Sequence, residues 1–142
     1  MVVFVLGAWL VQAGVGVLLL SRWVRHRPRG ADPAARRGGS RVVLGHLALA
    51  VGGLLLWTGF AVTGEALLGW SALGALTLGN VLGDTMLVRR SRRMSGSGGS
   101  AASDYARAVG RVLAGRFDAP VTVHALGAGV VYFGALAACL AA

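Results

Sequence analysis

Four stretches of this chain are each apolar for about the 20 residues that a helix needs to cross a bilayer. They run from about Val2 to Ser21, from Val42 to Thr63, from Ala66 to Val88 and from Ala119 to Ala141. None alternates apolar and polar residues as a lipid-facing barrel strand does. Hydrocarbon offers no partner to an open backbone, so each stretch is expected to be a helix. The fold class that follows is all-α: an integral membrane four-helix up-down bundle in a single domain. The first stretch has no positive residue ahead of it and is longer than a usual signal-peptide core, so it is expected to stay as a span.

Charge then orients the bundle. Of the 142 residues 56% are hydrophobic and only 13% charged, yet the net charge is +9. An ordinary soluble domain carries about 25% charged residues, and a disordered basic tail is far less apolar. All 14 basic residues are arginine. Seven lie in the 22–41 connection and seven in the 89–118 connection, with none in the Thr63-Gly64-Glu65 turn. The positive-inside rule makes both arginine-rich loops cytoplasmic and both termini external, in the inner (plasma) membrane. The arginines are then partners for anionic head groups. They have no interleaved aromatic residues, which argues against nucleic acid. The single cysteine, Cys139, allows no intrachain disulfide and no cysteine-based metal motif.

The connections differ in texture. Pro28, Pro33 and the Gly38-Gly39-Ser40 run make the first one read as irregular. The second opens as a flexible linker, Met94 to Ser100. A short helix capped by Ser103 or Asp104 is expected after it. Tyr105, Val109, Val112, Leu113 and Phe117 share one face of that helix, and Arg107 and Arg111 the other. This is the pattern of a cytoplasmic amphipathic helix lying on the membrane surface. A helix packed under the bundle or docking a partner is the competing reading. Trp57, Phe60 and Trp70 fall toward the outer ends of their spans and Trp23 at an inner end, positions suited to interfacial anchors.

Ionisable side chains are costly inside a span, so each one marks a candidate site. There are three: His46, Asp84 and His124. His46 is five residues past Arg41, Asp84 five before Arg89, and His124 six past Asp118. At a rise of about 1.5 Å per residue, all three sit roughly 7–9 Å inside the cytoplasmic boundary. Gln12 and Asn80 form a second level just deeper. Thr77, Asn80 and Asp84, spaced by three and four, give span three a polar face expected to look into the bundle. Small-residue rows flank these positions: Ala75, Gly79 and Gly83; Ala48 and Gly52; Ala125 and Gly129. Such rows let helices approach closely, and they also leave room for a flat cofactor.

Three readings of this level compete. In the first, the polar groups only fix helix register, although such bonds in membranes are worth just about 0.6 kcal/mol on average. In the second, His46 and His124 are the axial ligands of one haem. Asp84 then orients one imidazole, and Arg22, Arg41, Arg89 and Arg90 lie where they could pair with propionates. Two histidines at one depth on separate spans resemble small bacterial four-helix membrane b-type cytochromes, a resemblance that covers only the spans and implies haem b. In the third, His46, His124 and Asp84 hold a divalent metal or relay protons. Asn80 and Gln12 would support the cofactor in either case. No metalloprotease, nucleotide-binding or nucleophile-elbow motif is present, so a non-enzymatic role is expected, the alternative to a cofactor site being a structural or accessory subunit. Glycine rows also suit a homo-oligomer or a larger membrane complex.

Overall fold

In a computed structural model, residues 1–26, 33–96 and 98–142 are described, those at 33–37 by their backbone only. Pro28 and Ser97, and the arginines at 27 and 29, lie outside the described residues. Among those described, every element is a helix: α1 (Val2–Arg25), α2 (Pro33–Thr63), α3 (Ala66–Ser95), α4 (Ala101–Leu113) and α5 (Ala119–Leu140). Four of them, all but α4, are long and apolar enough to cross a membrane.

The helices outrun the apolar stretches. The second begins at Pro33, in the first turn where a missing N–H costs nothing. The Gly38-Gly39-Ser40 run, expected to be irregular, is therefore helical. Two adjacent glycines do not break a helix that flanking turns already propagate. At its other end α2 turns into α3 through Gly64, whose φ of 72° suits a residue without Cβ. The third helix runs on to Ser95 and stops at Gly96, also left-handed, with φ of 66°.

Four neighbouring pairs close the bundle in the order α1, α2, α3, α5, with the most extensive contact between α2 and α3. The diagonal pairs, α1 with α3 and α2 with α5, make no close backbone approach among the described residues. The short helix α4 packs on α3 and α5 at the arginine-rich end.

Each long helix sends one stripe inward at spacings of three and four, the interior face of a 3.6-residue repeat. The apolar core lies wholly toward the end away from the arginines. It is built from Val5 and Trp9, Trp57 and Phe60, Leu73 and Leu76, and Val131, Ala135 and Ala138, with Cys139 buried among them. Trp57 is fully covered and Phe60 nearly so. They are thus core residues, not the interfacial anchors expected from their depth. The Trp9 and Trp57 rings sit 6.2 Å apart, and Phe60 meets Trp57 edge-on at 5.3 Å. Trp70 does stay exposed.

Glycine sets the helix spacing, but only partly in the expected rows. Gly79 and Gly83 face α2 as anticipated, against Leu49 and His46. In α2 the close approaches are at Gly45 and Gly53, because Gly52 faces open space. In α5 they are at Gly127 and Gly134, and Gly129 is open. The expected partners were shifted by one or two residues around the helix, which on a 3.6-residue turn moves a side chain off the interface. Outward, Phe4, Val11, Leu55, Val62, Leu78 and Phe133 are all well exposed. An apolar exterior on every side exceeds any patch a water-soluble monomer shows.

Candidate functional site

The inward stripes change character before they reach the arginine-rich end. On α2 the stripe reads Phe60, Trp57, Gly53, Leu49, His46, and on α5 it reads Ala138, Ala135, Val131, Gly127, His124. Both use the same steps of three, four, four and three, so each histidine is the continuation of a core face. On α1 the stripe Val5, Trp9 leads to Gln12 and Gly16; on α3, Ala72 and Leu76 lead to Gly79 and Gly83. All four long helices therefore deliver a polar or minimal residue to one level.

At that level the imidazoles of His46 and His124 meet. Their ring centroids are 6.1 Å apart and their planes are inclined at 72°. They come from the diagonal helices α2 and α5, so the pair spans the middle of the bundle. His46 Nδ1 lies 2.8 Å from the Gly79 carbonyl oxygen. A carbonyl only accepts, so the proton is on Nδ1 and Nε2 keeps its lone pair. The His124 ring carries a buried Nδ1 with no partner. Glycines make room for both rings: a Cβ on Gly16 would stand 3.3 Å from His124 Cε1, and one on Gly83 would stand 3.4 Å from His46 Cε1. The Gln12 side-chain amide donates to the backbone carbonyl of His124, and its oxygen fills the space beside Gly127.

Asp84 does not join them. It follows Gly83 and is therefore turned by about 100° away from the interior stripe. Its electrostatic partner is Tyr105 on α4. The Asp84 charge, reinforced by burial, holds the Tyr105 phenol above its ordinary pKa. Among the described residues no three or more His, Cys, Asp or Glu side chains stand together as a metal-holding group. Of the three residues expected to hold a metal or relay protons, His46 and His124 converge, and Asp84 faces Tyr105 on a different helix. The polar face expected on α3 is divided in the same way. Thr77 donates to the Leu73 carbonyl of its own helix at 2.8 Å, and Asn80 is half-buried beside Gly79.

A second polar cluster docks α4. Ser100, not Ser103 or Asp104, caps the helix by accepting from the Ser103 N–H. Asp104 is freed for another task. It is 1% exposed and accepts from Arg92 Nε at 2.6 Å, from the Gly99 N–H at 3.1 Å and from Arg107 at 3.2 Å. Burial works against ionisation of Asp104, but the Arg92 and Gly99 hydrogen bonds and the Arg92 and Arg107 charges outweigh it and hold the carboxyl below its ordinary pKa. Arg111 donates to the carbonyl and hydroxyl of Ser91 and to the Ser95 hydroxyl. Arg90 pairs with Asp118 at 2.8 Å and lies 6.0 Å from the Phe117 ring centre. The face of α4 against the bundle is thus Asp104, Ala108 and Val112. Tyr105 and Leu113, expected with Val112 on one apolar face, remain exposed beside it.

Comparison with family models, with curated proteins and with solved structures found no match.

Proposed function

We propose that this chain is an integral membrane protein of four spans, its arginine-rich connections cytoplasmic and its termini external, in which His46 and His124 hold a single haem of the b type. The observation that carries this reading is the spacing of the two rings. A metal-bound imidazole nitrogen sits about 2 Å from the metal, and the ring centre about 1 Å further out. With ring centres 6.1 Å apart, His46 and His124 would be able to offer one nitrogen each to a single metal centre.

The choice of haem over a bare ion follows from the donor count. A closed divalent site takes four protein ligands and an open one three, and only two histidines converge. Haem iron asks the protein for two axial ligands at most, since the macrocycle supplies the rest. The residues present fit that demand. The Gly79 carbonyl holds His46 in the tautomer that presents Nε2, the usual outer partner of a ligating histidine. Gly16 and Gly83 give both rings their place. Gln12 ties α1 to the α5 backbone at His124. Of the arginines suited to propionates, Arg90 is engaged by Asp118, whereas Arg22 and Arg41, on α1 and α2, carry no such ion pair among the described residues. When bound, such a haem supplies one-electron transfer, and its low-dielectric surroundings tune its potential.

The absorption spectrum of the detergent-purified protein tests this. A Soret band that sharpens and shifts on reduction, and is lost in His46→Ala and in His124→Ala, is the expected result. A colourless protein that takes up no haem overturns it. The second reading is a non-enzymatic structural or accessory subunit, favoured by the His46 bond to Gly79, which on its own fixes the register of α2 on α3.

A further inference from the structure

We infer that α4 is a membrane-surface helix whose open face docks on anionic phospholipid, with Arg89, Arg93 and Arg116 as the head-group ligands. The inference rests on the four-span reading and is independent of what the histidines bind.

Three observations place the lipid there. First, the polar side of α4 is already used. Asp104 and Arg111 bind the last turns of α3, so neither faces outward. Second, the side next to it is apolar and open. Leu113 is 72% exposed, Tyr105 about half exposed and Val109 partly so. Steps of four put these three in one row. Tyr105 heads that row and is in electrostatic contact with Asp84, which lies inside the apolar stretch of α3. The row therefore reaches back to the arginine-rich end of the α3 span. Third, the charge is left over. Arg90, Arg92 and Arg107 are in ion pairs, and Arg111 is spent on the two serines. The side chains of Arg89, Arg93 and Arg116 are exposed and make no ion pair or hydrogen bond among the described residues. The open apolar row and the three arginines lie at the same end of the bundle, a combination complementary to acyl chains topped by phosphates. Each arginine near an anionic surface is worth about a five-fold gain in partitioning.

The test uses the full chain reconstituted in vesicles of phosphatidylcholine with phosphatidylglycerol. In a Cys139→Ala background, a spin label is placed at Leu113→Cys, and in a second variant at the span position Leu55→Cys. Accessibility to oxygen and to a water-soluble nickel complex reads depth. The expected result is hydrocarbon contact at Leu55 and interfacial depth at Leu113. Lipid co-purifying with Arg89→Gln, Arg93→Gln and Arg116→Gln should lose phosphatidylglycerol roughly five-fold per substitution. If Leu113 is in water while Leu55 is in hydrocarbon, the inference falls and the spans stand. If phosphatidylglycerol is retained unchanged by the triple variant, the arginines are not its ligands and the inference falls as well. If both labels see water, the membrane reading fails and takes this inference with it.

Discussion

Trp57 donates its indole N–H to the backbone carbonyl of Val2 at 3.2 Å, across 55 residues of sequence. The bond pins the first turn of α1 to α2 at the end of the bundle where the apolar core is densest. Trp57→Phe keeps most of the ring packing and loses the bond, so it should cost about 1 kcal/mol. Trp57→Ala, which empties a fully covered site, should cost about 3–5 kcal/mol. Trp70→Phe, on an exposed side chain, should be close to neutral. Unfolding of the three variants in detergent, followed by circular dichroism, orders them.

Gly52 and Gly53 are adjacent and behave as opposites. A methyl at Gly53 would meet the Trp9 ring at 3.0 Å, whereas one at Gly52 meets nothing. Gly53→Val should therefore destabilise by about 1–3 kcal/mol through overpacking. Gly52→Ala should be neutral or gain up to about 1 kcal/mol from helix propensity. The same unfolding assay separates them, and equal effects would show that α2 does not present the face described.

Asp104 makes the docking of α4 dependent on pH. Its folded-state pKa is depressed, so its contribution is fully present above the ordinary carboxylate value of about 4. It is lost as pH falls through the lower folded value. Protection of the 101–113 amides, taken relative to their intrinsic exchange rates, should be high at neutral pH and fall in acid. Asp104→Asn should lose that protection at every pH, with the core helices unchanged. Protection in α4 that ignores both pH and the substitution would contradict the role given to this carboxylate.

If His46 and His124 are axial ligands, they are exchangeable in kind. His124→Met replaces an imidazole with a thioether, which keeps haem bound and raises the midpoint potential. His124→Ala loses the pigment. Potentiometric titration monitored by absorbance reads both. A methionine variant with an unchanged potential would mean that His124 does not touch the iron.

How much of this was legible in the sequence depends on the length scale of the signal. The four long helices are visible because about 20 apolar residues in a row have one good physical solution in lipid. The pairing of His46 with His124 is also visible, because depth along a helix follows directly from rise per residue. What depth alone leaves open is direction around the axis. Asp84 shares the depth of the histidines, yet one residue beyond Gly83 it turns to Tyr105. Trp57 shares the depth of an anchor and points inward. Counting each inward stripe back from the histidines in threes and fours would have found Gly53, Gly127 and the core residue Trp57. The docking of Asp104 and Arg111 on α3 is a contact between segments joined by a glycine-serine linker, and no local pattern records it.

The diagonal placement of the histidines has a mechanical meaning. The backbones of helices α2 and α5 approach closely nowhere among the described residues. At their level the two rings are the strut that holds these helices apart and together. A proton gained, a ligand bound or a side chain removed there changes the length of that strut. The remaining backbone contacts run around the perimeter. Any chemistry at the two ring nitrogens would act on the one diagonal that no backbone contact bridges, at the arginine-rich mouth of the bundle.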